Sequence, residues 1–376
     1  ESDGPSFEGF VDLGAYNDDT CAVHTNGSIT CWGDDNTLPF IYKEGDYVEV
    51  ELGMGSPVSD SNGDEYRDSG ACALDDDGVL ECWNLGTFST TKSAPTSGTF
   101  TSLSGGQHFC AVSSTSTIEC WGPDNQGESS DVPTWTNFSS VSPGYGLTCA
   151  VTTDKHAECW GVTSADISAA HIDPAASLDE EKYLDIGAST RRACAILIDR
   201  SIECYGRGHF GAPATPPAGF FKSIESNAET INQNALHKGD TSGVPQSIIQ
   251  SKADIGFCAI STDGNLSCWG GPDNIFSTIS YDGRPVTDVK VGAAHVCVID
   301  DLGEIWCSNQ DTREIGAEKI SLGSLFTCAI LDDGNVKCWG AGGYGQLGDG
   351  TNYYSSNTAT QTASLGAGQT AVAISP

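Results

Sequence analysis

Three features of the sequence predict an all-β fold assembled from eight copies of one hairpin-centred repeat: a regular cysteine pattern, Asp-Gly turns inside it, and packing residues on both faces of the hairpins it brackets. All sixteen Cys of the 376-residue chain fall into eight pairs, each ten positions apart: Cys21/Cys31, Cys72/Cys82, Cys110/Cys120, Cys149/Cys159, Cys194/Cys204, Cys258/Cys268, Cys297/Cys307 and Cys328/Cys338. Zinc sites cluster their ligands in short loops such as Cys-x-x-Cys, a spacing absent within these pairs, so disulfides are the expected chemistry.

The segments between paired cysteines read as hairpins. In Cys72-Ala-Leu-Asp-Asp-Asp-Gly-Val-Leu-Glu-Cys82 and Cys328-Ala-Ile-Leu-Asp-Asp-Gly-Asn-Val-Lys-Cys338, apolar residues flank an Asp-Gly turn. A separation of ten leaves an odd loop, which fits three residues closing on a left-handed residue and a bulge. Gly is expected at the sixth position after the first Cys, and Gly27, Gly78, Gly264, Gly303 and Gly334 stand there. Ser116, Lys155 and Arg200 replace it, so those three turns are expected to be strained or differently shaped. Opposed Cys at a non-hydrogen-bonded pair come close enough for a disulfide, one staple per hairpin; pairing between neighbouring units is the alternative. Each short loop is expected to contribute on the order of 2 to 3 kcal/mol in the chain-entropy model. Such staples imply an oxidising compartment, hence a secreted, extracellular or cell-surface protein.

Around each hairpin the copies continue to align. Ala follows the first Cys in seven units, an aliphatic residue or Ala stands two before every second Cys, and Trp follows the second Cys at Trp32, Trp83, Trp121, Trp160, Trp269 and Trp339, with Tyr205 there once. Period-two alternation places the aliphatic residue and second Cys on one face and the Trp on the other. Sheets with packing groups on both faces need a neighbour on both sides. The first cysteines are spaced 51, 38, 39, 45, 64, 39 and 31 residues apart, which fits the four-stranded blade of a β-propeller.

The last full unit reads Cys338-Trp339-Gly340-Ala-Gly-Gly-Tyr344-Gly345-Gln346-Leu347-Gly348-Asp349-Gly350-Thr351, and here the chain resembles the regulator of chromosome condensation repeat family. Weaker versions stand at Trp121 to Glu128 and Trp269 to Asn274, so at repeat level the resemblance spans nearly the whole chain. It implies a single β-propeller domain over residues 1–376, usually of seven blades; eight Cys pairs favour eight. Its nuclear members activate a small GTPase and bind chromatin, roles at odds with stapled hairpins and an acidic chain, while secreted bacterial relatives include a protein that caps a β-lactamase. The long steps place insertions at about 34–70 and 206–256, expected as loops. Two short stretches, Asp179 to Leu184 and Ser223 to Leu236, read as the nearest candidates for helix.

The chain closes on Ala363-Ser-Leu365-Gly-Ala-Gly368-Gln369-Thr-Ala-Val372-Ala373-Ile374, which matches the first half of a unit with Val372 in the place of Cys. Residues 363–376 are therefore a surplus half-repeat. Either the segment completes the first blade of its own ring, or Leu365, Val372 and Ile374 carry it onto an exposed strand edge of another copy, a contact whose head-to-tail repetition builds a filament.

Lys and Arg total 17 against 51 Asp and Glu, a formal charge of −34, which repels polyphosphate and argues against nucleic-acid partners. No stretch approaches the roughly 18 to 20 apolar residues of a membrane span. The first residue is Glu1 and the one Met is Met54, as expected if an export signal has been removed.

Catalytic signals are sparse. The seven His are scattered, neither His-Glu-x-x-His nor Gly-x-Ser-x-Gly occurs, and acid runs such as Asp179-Glu180-Glu181 read as solvated surface. No cofactor is expected. Asp60, Asn62 and Asp64 alternate oxygen ligands like part of a calcium loop but lack its Gly and terminal Glu. The repeated Trp read as inter-blade core, while Trp135, outside the pattern, reads as a surface contact. Asn26, Asn137 and Asn265 open Asn-x-Ser glycosylation acceptors. The expectation is a non-enzymatic extracellular structural protein that self-assembles by strand exchange or propeller stacking. The alternative is a monomeric binding propeller that caps an extracellular protein or glycan.

Overall fold

The computed structural model describes residues 9–33, 41–59, 65–85, 94–124, 126–161, 182–189, 192–206, 216–226, 256–270, 282–292, 295–308, 314, 316–343, 345–348, 355–361 and 372–373. Every regular element among them is a strand. The first sheet holds β1 (Phe10–Tyr16), β2 (Asp19–His24), β3 (Ile29–Gly33) and β4 (Ile41–Lys43); the second holds β5 (Tyr47–Ser59), β6 (Glu65–Asp75) and β7 (Leu80–Asn84). The third comprises β8 (Phe100–Ser104), β9 (Phe109–Ser113) and β10 (Ile118–Trp121), the fourth β11 (Phe138–Pro143), β12 (Leu147–Thr152) and β13 (Ala157–Gly161). The fifth is β14 (Tyr183–Ser189), β15 (Arg192–Leu197) and β16 (Ile202–Gly206), and the sixth β17 (Phe221–Ser226), β18 (Phe257–Ser261) and β19 (Leu266–Trp269). The seventh is β20 (Val286–Val291), β21 (Val296–Asp300) and β22 (Ile305–Cys307). The eighth runs β23 (Ala317–Leu322), β24 (Phe326–Leu331), β25 (Val336–Ala341) and β26 (Ser355–Gln361), and β27 (Val372–Ala373) returns to the first sheet.

Each sheet is centred on one cysteine hairpin. The eight disulfides are Cys21–Cys31, Cys72–Cys82, Cys110–Cys120, Cys149–Cys159, Cys194–Cys204, Cys258–Cys268, Cys297–Cys307 and Cys328–Cys338, so every one closes within its own hairpin. The paired residues are directly opposed, with Cα atoms 4.0 to 4.1 Å apart, as a non-hydrogen-bonded pair requires. The loops have the expected three-residue form: in the first unit His24 N–H donates to Ser28 O and Gly27 N–H to His24 O, both at 2.8 Å. The sixth-position residue is left-handed in all eight units, including Ser116 (φ 60°), Lys155 (φ 70°) and Arg200 (φ 70°). The three non-glycine turns therefore keep the same form and carry its strain.

In four of the eight staples the second sulfur is less enclosed than the first. The first Cys of each pair lies on a central strand and is buried, whereas Cys120, Cys159, Cys204 and Cys268 are only half-buried. Edge position alone does not decide this: β10, β13, β16 and β19 are the outermost strands of their sheets among the described residues, but so are β7 and β22, whose Cys82 and Cys307 are buried. The strands β3 and β25, by contrast, are each covered by a further strand, and Cys31 and Cys338 on them are buried. All four half-buried cysteines still pack against a neighbouring apolar cluster. Trp269 Nε1 reaches back across the blade boundary to Cys204 Sγ at 3.3 Å.

Of the two stretches read as helix candidates, the described residues 183–184 and 223–226 lie in strands, and 179–181 and 227–236 fall outside the described set. Tyr183–Ser189 pairs antiparallel with β15, and Phe221–Ser226 with β18. A register shift stands near the start of every first strand, such as Tyr183/Asp185 or Phe221/Ser223. The bulge sets Tyr183 and Ile186, or Phe221 and Ile224, into one buried set three residues apart, an interval that imitates a helix turn. Of the stretch expected as a first insertion, 41–43 and 47–59 are strands, β5 and β6 being extended to 13 and 11 residues. In the second, 221–226 is β17 and residues 227–255 fall outside the described set.

Eight apolar clusters fill the gaps between consecutive sheets, and in each the cystine face of one sheet meets the Trp or Ala face of the next. Ile29 and Cys31 pack with Ala73 and Trp83, Leu80 and Cys82 with Ala111 and Trp121, and Cys110 and Ile118 with Ala150 and Trp160. Cys149 and Ala157 meet Ala195 and Tyr205, Cys194 and Ile202 meet Ala259 and Trp269, and Cys258 and Ile260 meet Val298 and Trp306. Ile305 and Cys307 pack with Ala329 and Trp339. The eighth cluster brings Val336 and Cys338 against Ala22 and Trp32 of the first sheet, so the order of contacts returns to its start.

Main-chain bonds follow the same path. The carbonyl of the left-handed turn residue accepts the N–H that opens the next sheet: Tyr47 from Gly27 (2.9 Å), Phe100 from Gly78 (2.8 Å), Phe138 from Ser116 (2.9 Å), Tyr183 from Lys155 (2.8 Å), Phe221 from Arg200 (2.8 Å), Val286 from Gly264 (2.7 Å) and Ala317 from Gly303 (2.9 Å). A second clasp uses the repeated Trp. Trp32 Nε1 donates to Gln346 O at 2.9 Å and Trp160 Nε1 to Glu128 O at 3.0 Å, each acceptor standing seven residues after the Trp of the preceding sheet. The Gly-Gln segment after Trp339 is thus a latch onto the first sheet. The result is an all-β propeller of eight stapled blades.

Candidate interaction surfaces

Burial separates the structural polar groups from those free to meet a partner. His24 Nε2 lies 2.7 Å from Thr30 Oγ1, His108 Nε2 2.6 Å from Thr148 Oγ1 and His295 Nε2 2.7 Å from Thr327 Oγ1. Burial pushes all three imidazoles down to about 4, so they are neutral; His24 ties two strands of the first sheet, and His108 and His295 each tie one sheet to the next. His108, Cys110 and Cys120 form the one Cys/His cluster compact enough for a metal among the described residues, yet both sulfurs are tied in a disulfide and offer no thiolate. Asp60, Asn62 and Asp64 lie outside the described residues, as do His171, His209 and His237.

The first strands of successive sheets touch one another around the whole set, from β1 against β5 to β23 against β1, and so form the innermost ring. Charges that the sequence scatters meet there. Lys319 Nζ lies 2.5 Å from Asp12 Oδ1, Asp12 Oδ2 accepts Val50 N–H at 2.7 Å, and Lys290 Nζ lies 2.7 Å from Glu225 Oε1. Burial, reinforced by Asp12, pushes Glu49 up to about 7; burial, then Asp12 and Glu49, pushes Glu51 up to about 8. Glu51 also senses Lys290 and Glu225, two charges from the far side of the sequence.

Two surfaces at the periphery stand out. At the outer edge of the first sheet, β4 pairs antiparallel with β3, and β27 adds to β4 as a parallel strand, Val372 opposite Ile41 and Ala373 opposite Tyr42. The last blade is joined to the first by residues that precede this tail: Phe326, Ile330 and Leu347 against Leu13 and Trp32, and Ser324 N–H donating to Asn17 O at 3.0 Å. Leu365 and Ile374 lie outside the described residues.

The second surface is the end of the molecule formed by the hairpin turns. Six of the eight turns carry Asp in their first two loop positions, against Lys155 and Arg200 as bases. Among these acids stand large exposed apolar side chains: Ile198 is 57 %, Phe220 64 % and Leu302 63 % accessible. Nothing in the apolar pattern read from the sequence singled them out: Ile198 and Leu302 sit at turn positions that are polar in most other units, and Phe220 stands just before β17. Trp135, expected at the surface, is 38 % exposed in the segment before β11.

Residues 317–346, which span β23 to the Gly345-Gln346 latch, match the family model of the regulator of chromosome condensation (RCC1) repeat. No curated protein matches the sequence. Among solved structures, the chain is similar to the entire ectodomain of the receptor kinase CR4 from Physcomitrella patens, with 18 % identity and a TM-score of 0.52 over 77 % of this chain and 72 % of that one. It is similar to the computationally designed protein Ika8, with 13 % identity and a TM-score of 0.50 over 89 % and 97 % of the two chains. Yeast RCC1 (Prp20), solved with Kap60 bound, shares 15 % identity and a TM-score of 0.46 over 85 % and 76 %. At such identities the likeness is one of fold.

Proposed function

We propose that this propeller of regulator of chromosome condensation repeats is a non-enzymatic, extracellular structural protein that assembles with copies of itself, the C-terminal strand of one molecule pairing with β4 of the next. The position of β27 carries this reading. It sits on the outermost strand of the first blade, beyond the contacts that join the eighth blade to the first, so the ring's own packing does not call on it. A strand held only along an edge exchanges readily for the same strand from a neighbour. Donor and acceptor lie at different places on the molecule, and such head-to-tail contacts propagate instead of closing on a pair.

Eight disulfides support an oxidising compartment, where they form and persist. They also support a scaffold role, since the staples keep each blade's hairpin intact under conditions that unfold unbridged chains. Sizing by light scattering and negative-stain imaging test the proposal. The full chain is expected to give concentration-dependent rods, and the chain lacking 363–376 a particle of monomer size; the whole monomer mass is 39.2 kDa. Val372→Pro, which blocks strand pairing with a single change, is expected to act like the deletion while leaving eight disulfides intact by mass mapping. A monodisperse monomer from the full chain at millimolar concentration overturns assembly and leaves the capping propeller as the working reading.

A further inference from the structure

The exposed apolar residues of the hairpin-turn end are joined into one surface by the blade-to-blade hydrogen bonds. Phe221 N–H donates to Arg200 O (2.8 Å), which seats Phe220 beside the turn that carries Ile198. Thr262 N–H donates to Phe220 O (2.8 Å) and Val286 N–H to Gly264 O (2.7 Å), which bring in the sixth turn and exposed Pro285. Asp301 N–H donates to Pro285 O (2.9 Å), placing Leu302 at the far end. Ile198, Phe220, Pro285 and Leu302 thus form an arc over the fifth, sixth and seventh blades. Isolated exposed apolar residues are ordinary on a protein surface; several held in a row by rigid turns mark an interaction site.

The charges along the arc select its occupant. Exposed Asp199, Asp263 and Asp301 alternate with the apolar residues. Arg284 is already held by Asp282 (2.9 Å), Asp300 (3.5 Å) and Glu304 (3.7 Å), so exposed Arg200 is the base that stands among these three acids. An anionic lipid surface and a nucleic acid are repelled by such a rim. A second copy of this chain, with its charge of −34, is repelled as well when it approaches turn end to turn end. We propose that the arc binds a cationic amphipathic protein segment, in which aliphatic or aromatic side chains seat against Phe220 and Leu302 while Lys or Arg meet Asp199, Asp263 and Asp301. This site is built from different residues than the β4 edge and stands whether or not the tail exchanges.

The probe is a synthetic 18-residue peptide of Leu and Lys with an amphipathic helical pattern, titrated into the full chain and followed by fluorescence anisotropy. A Leu/Glu peptide of the same pattern and phosphatidylserine vesicles serve as the competing occupants. Phe220→Ser combined with Leu302→Ser is expected to weaken the Leu/Lys peptide at least about tenfold, whereas Tyr145→Ser, at another exposed position, leaves it unchanged. Asp199→Asn with Asp301→Asn is expected to lower affinity and flatten its salt dependence. The proposal is overturned if the double Ser variant binds the cationic peptide as tightly as the parent, since attraction would then be charge alone. It is equally overturned if the Leu/Glu peptide or the vesicles bind through Phe220, or if the double Ser change abolishes assembly of the protein itself.

Discussion

Arg200 illustrates how a local cost is held in place by a distant contact. An L-residue in the left-handed region loses roughly 1 kcal/mol against a right-handed conformation, yet Arg200 keeps φ at 70° because its carbonyl receives Phe221 N–H of the next blade. Removing the Cβ relieves that cost and leaves the carbonyl where it is. Arg200→Gly is therefore expected to raise stability by about 0.5 to 1 kcal/mol, read as a higher denaturant midpoint with unchanged slope. Glu51 gives the opposite kind of residue-level penalty. The unfolded chain ionises this carboxyl near 4.5, whereas the folded chain does so near 8. Between those values the folded state keeps a proton that the unfolded state has released, so stability falls as pH rises through the window. Glu49, raised to about 7, adds to the same limb. His24, His108 and His295 work from the acid side: the unfolded rings protonate near 6.5 and the folded ones near 4, so stability also falls as pH drops below 6.5. Their combination places maximum stability near pH 6.5. Glu51→Gln is expected to stabilise by ~1 kcal/mol at pH 8 and to flatten the alkaline limb in a pH series of melting temperatures; a steeper alkaline limb would contradict the burial argument.

At the level of elements, the hairpins were legible because their chemistry is local. Cys72 and Cys82 are ten apart in sequence and opposite in the sheet, so spacing alone carried the staple and its register. The double-faced blade was legible too, since Ile29 and Trp32 differ in parity and pack on different neighbours. Parity could not say how well each face is covered: Cys159, Cys204 and Cys268 share the register of Cys338, yet Cys338 is buried and those three are half-buried. The first strands carry an opening bulge that replaces the interval of two by three, so strict alternation does not run through Tyr183 and Ile186. The blade-to-blade clasp left no trace in composition: what reaches Phe221 is a main-chain carbonyl, which Arg200 supplies as well as Gly264 supplies it to Val286. The inner charges were hidden for another reason. Glu51 and Lys290 become neighbours only after the repeats have come round, and no spacing rule connects them. The apolar arc depends on the same assembly, since Ile198, Phe220 and Leu302 belong to three blades. What local pattern encodes was therefore readable, and what the ring brings together was not.

The whole molecule combines covalent closure within blades with only non-covalent contact between them. Every disulfide joins residues ten apart, so no bond crosses from one unit to another. The blades are instead held by the apolar clusters, the turn carbonyls and the Trp latches, and a chain cut once between two blades retains every one of the other interfaces. A protease site placed between positions 206 and 216 divides the protein into a five-blade and a three-blade piece. These two pieces meet where the Cys194 and Ile202 face packs against Trp269, and at the first blade, where Phe326 and Leu347 pack against Trp32 and β27 pairs with β4. Two buried apolar interfaces, with a latch at Gln346, are enough to keep the cleaved protein together in native buffer. Denaturant without reductant should release two separate fragments, each retaining its own disulfides, five and three, by mass. Fragments that stay linked in denaturant would mean that disulfides cross between units; fragments that part in native buffer would mean that the eighth blade does not hold the first.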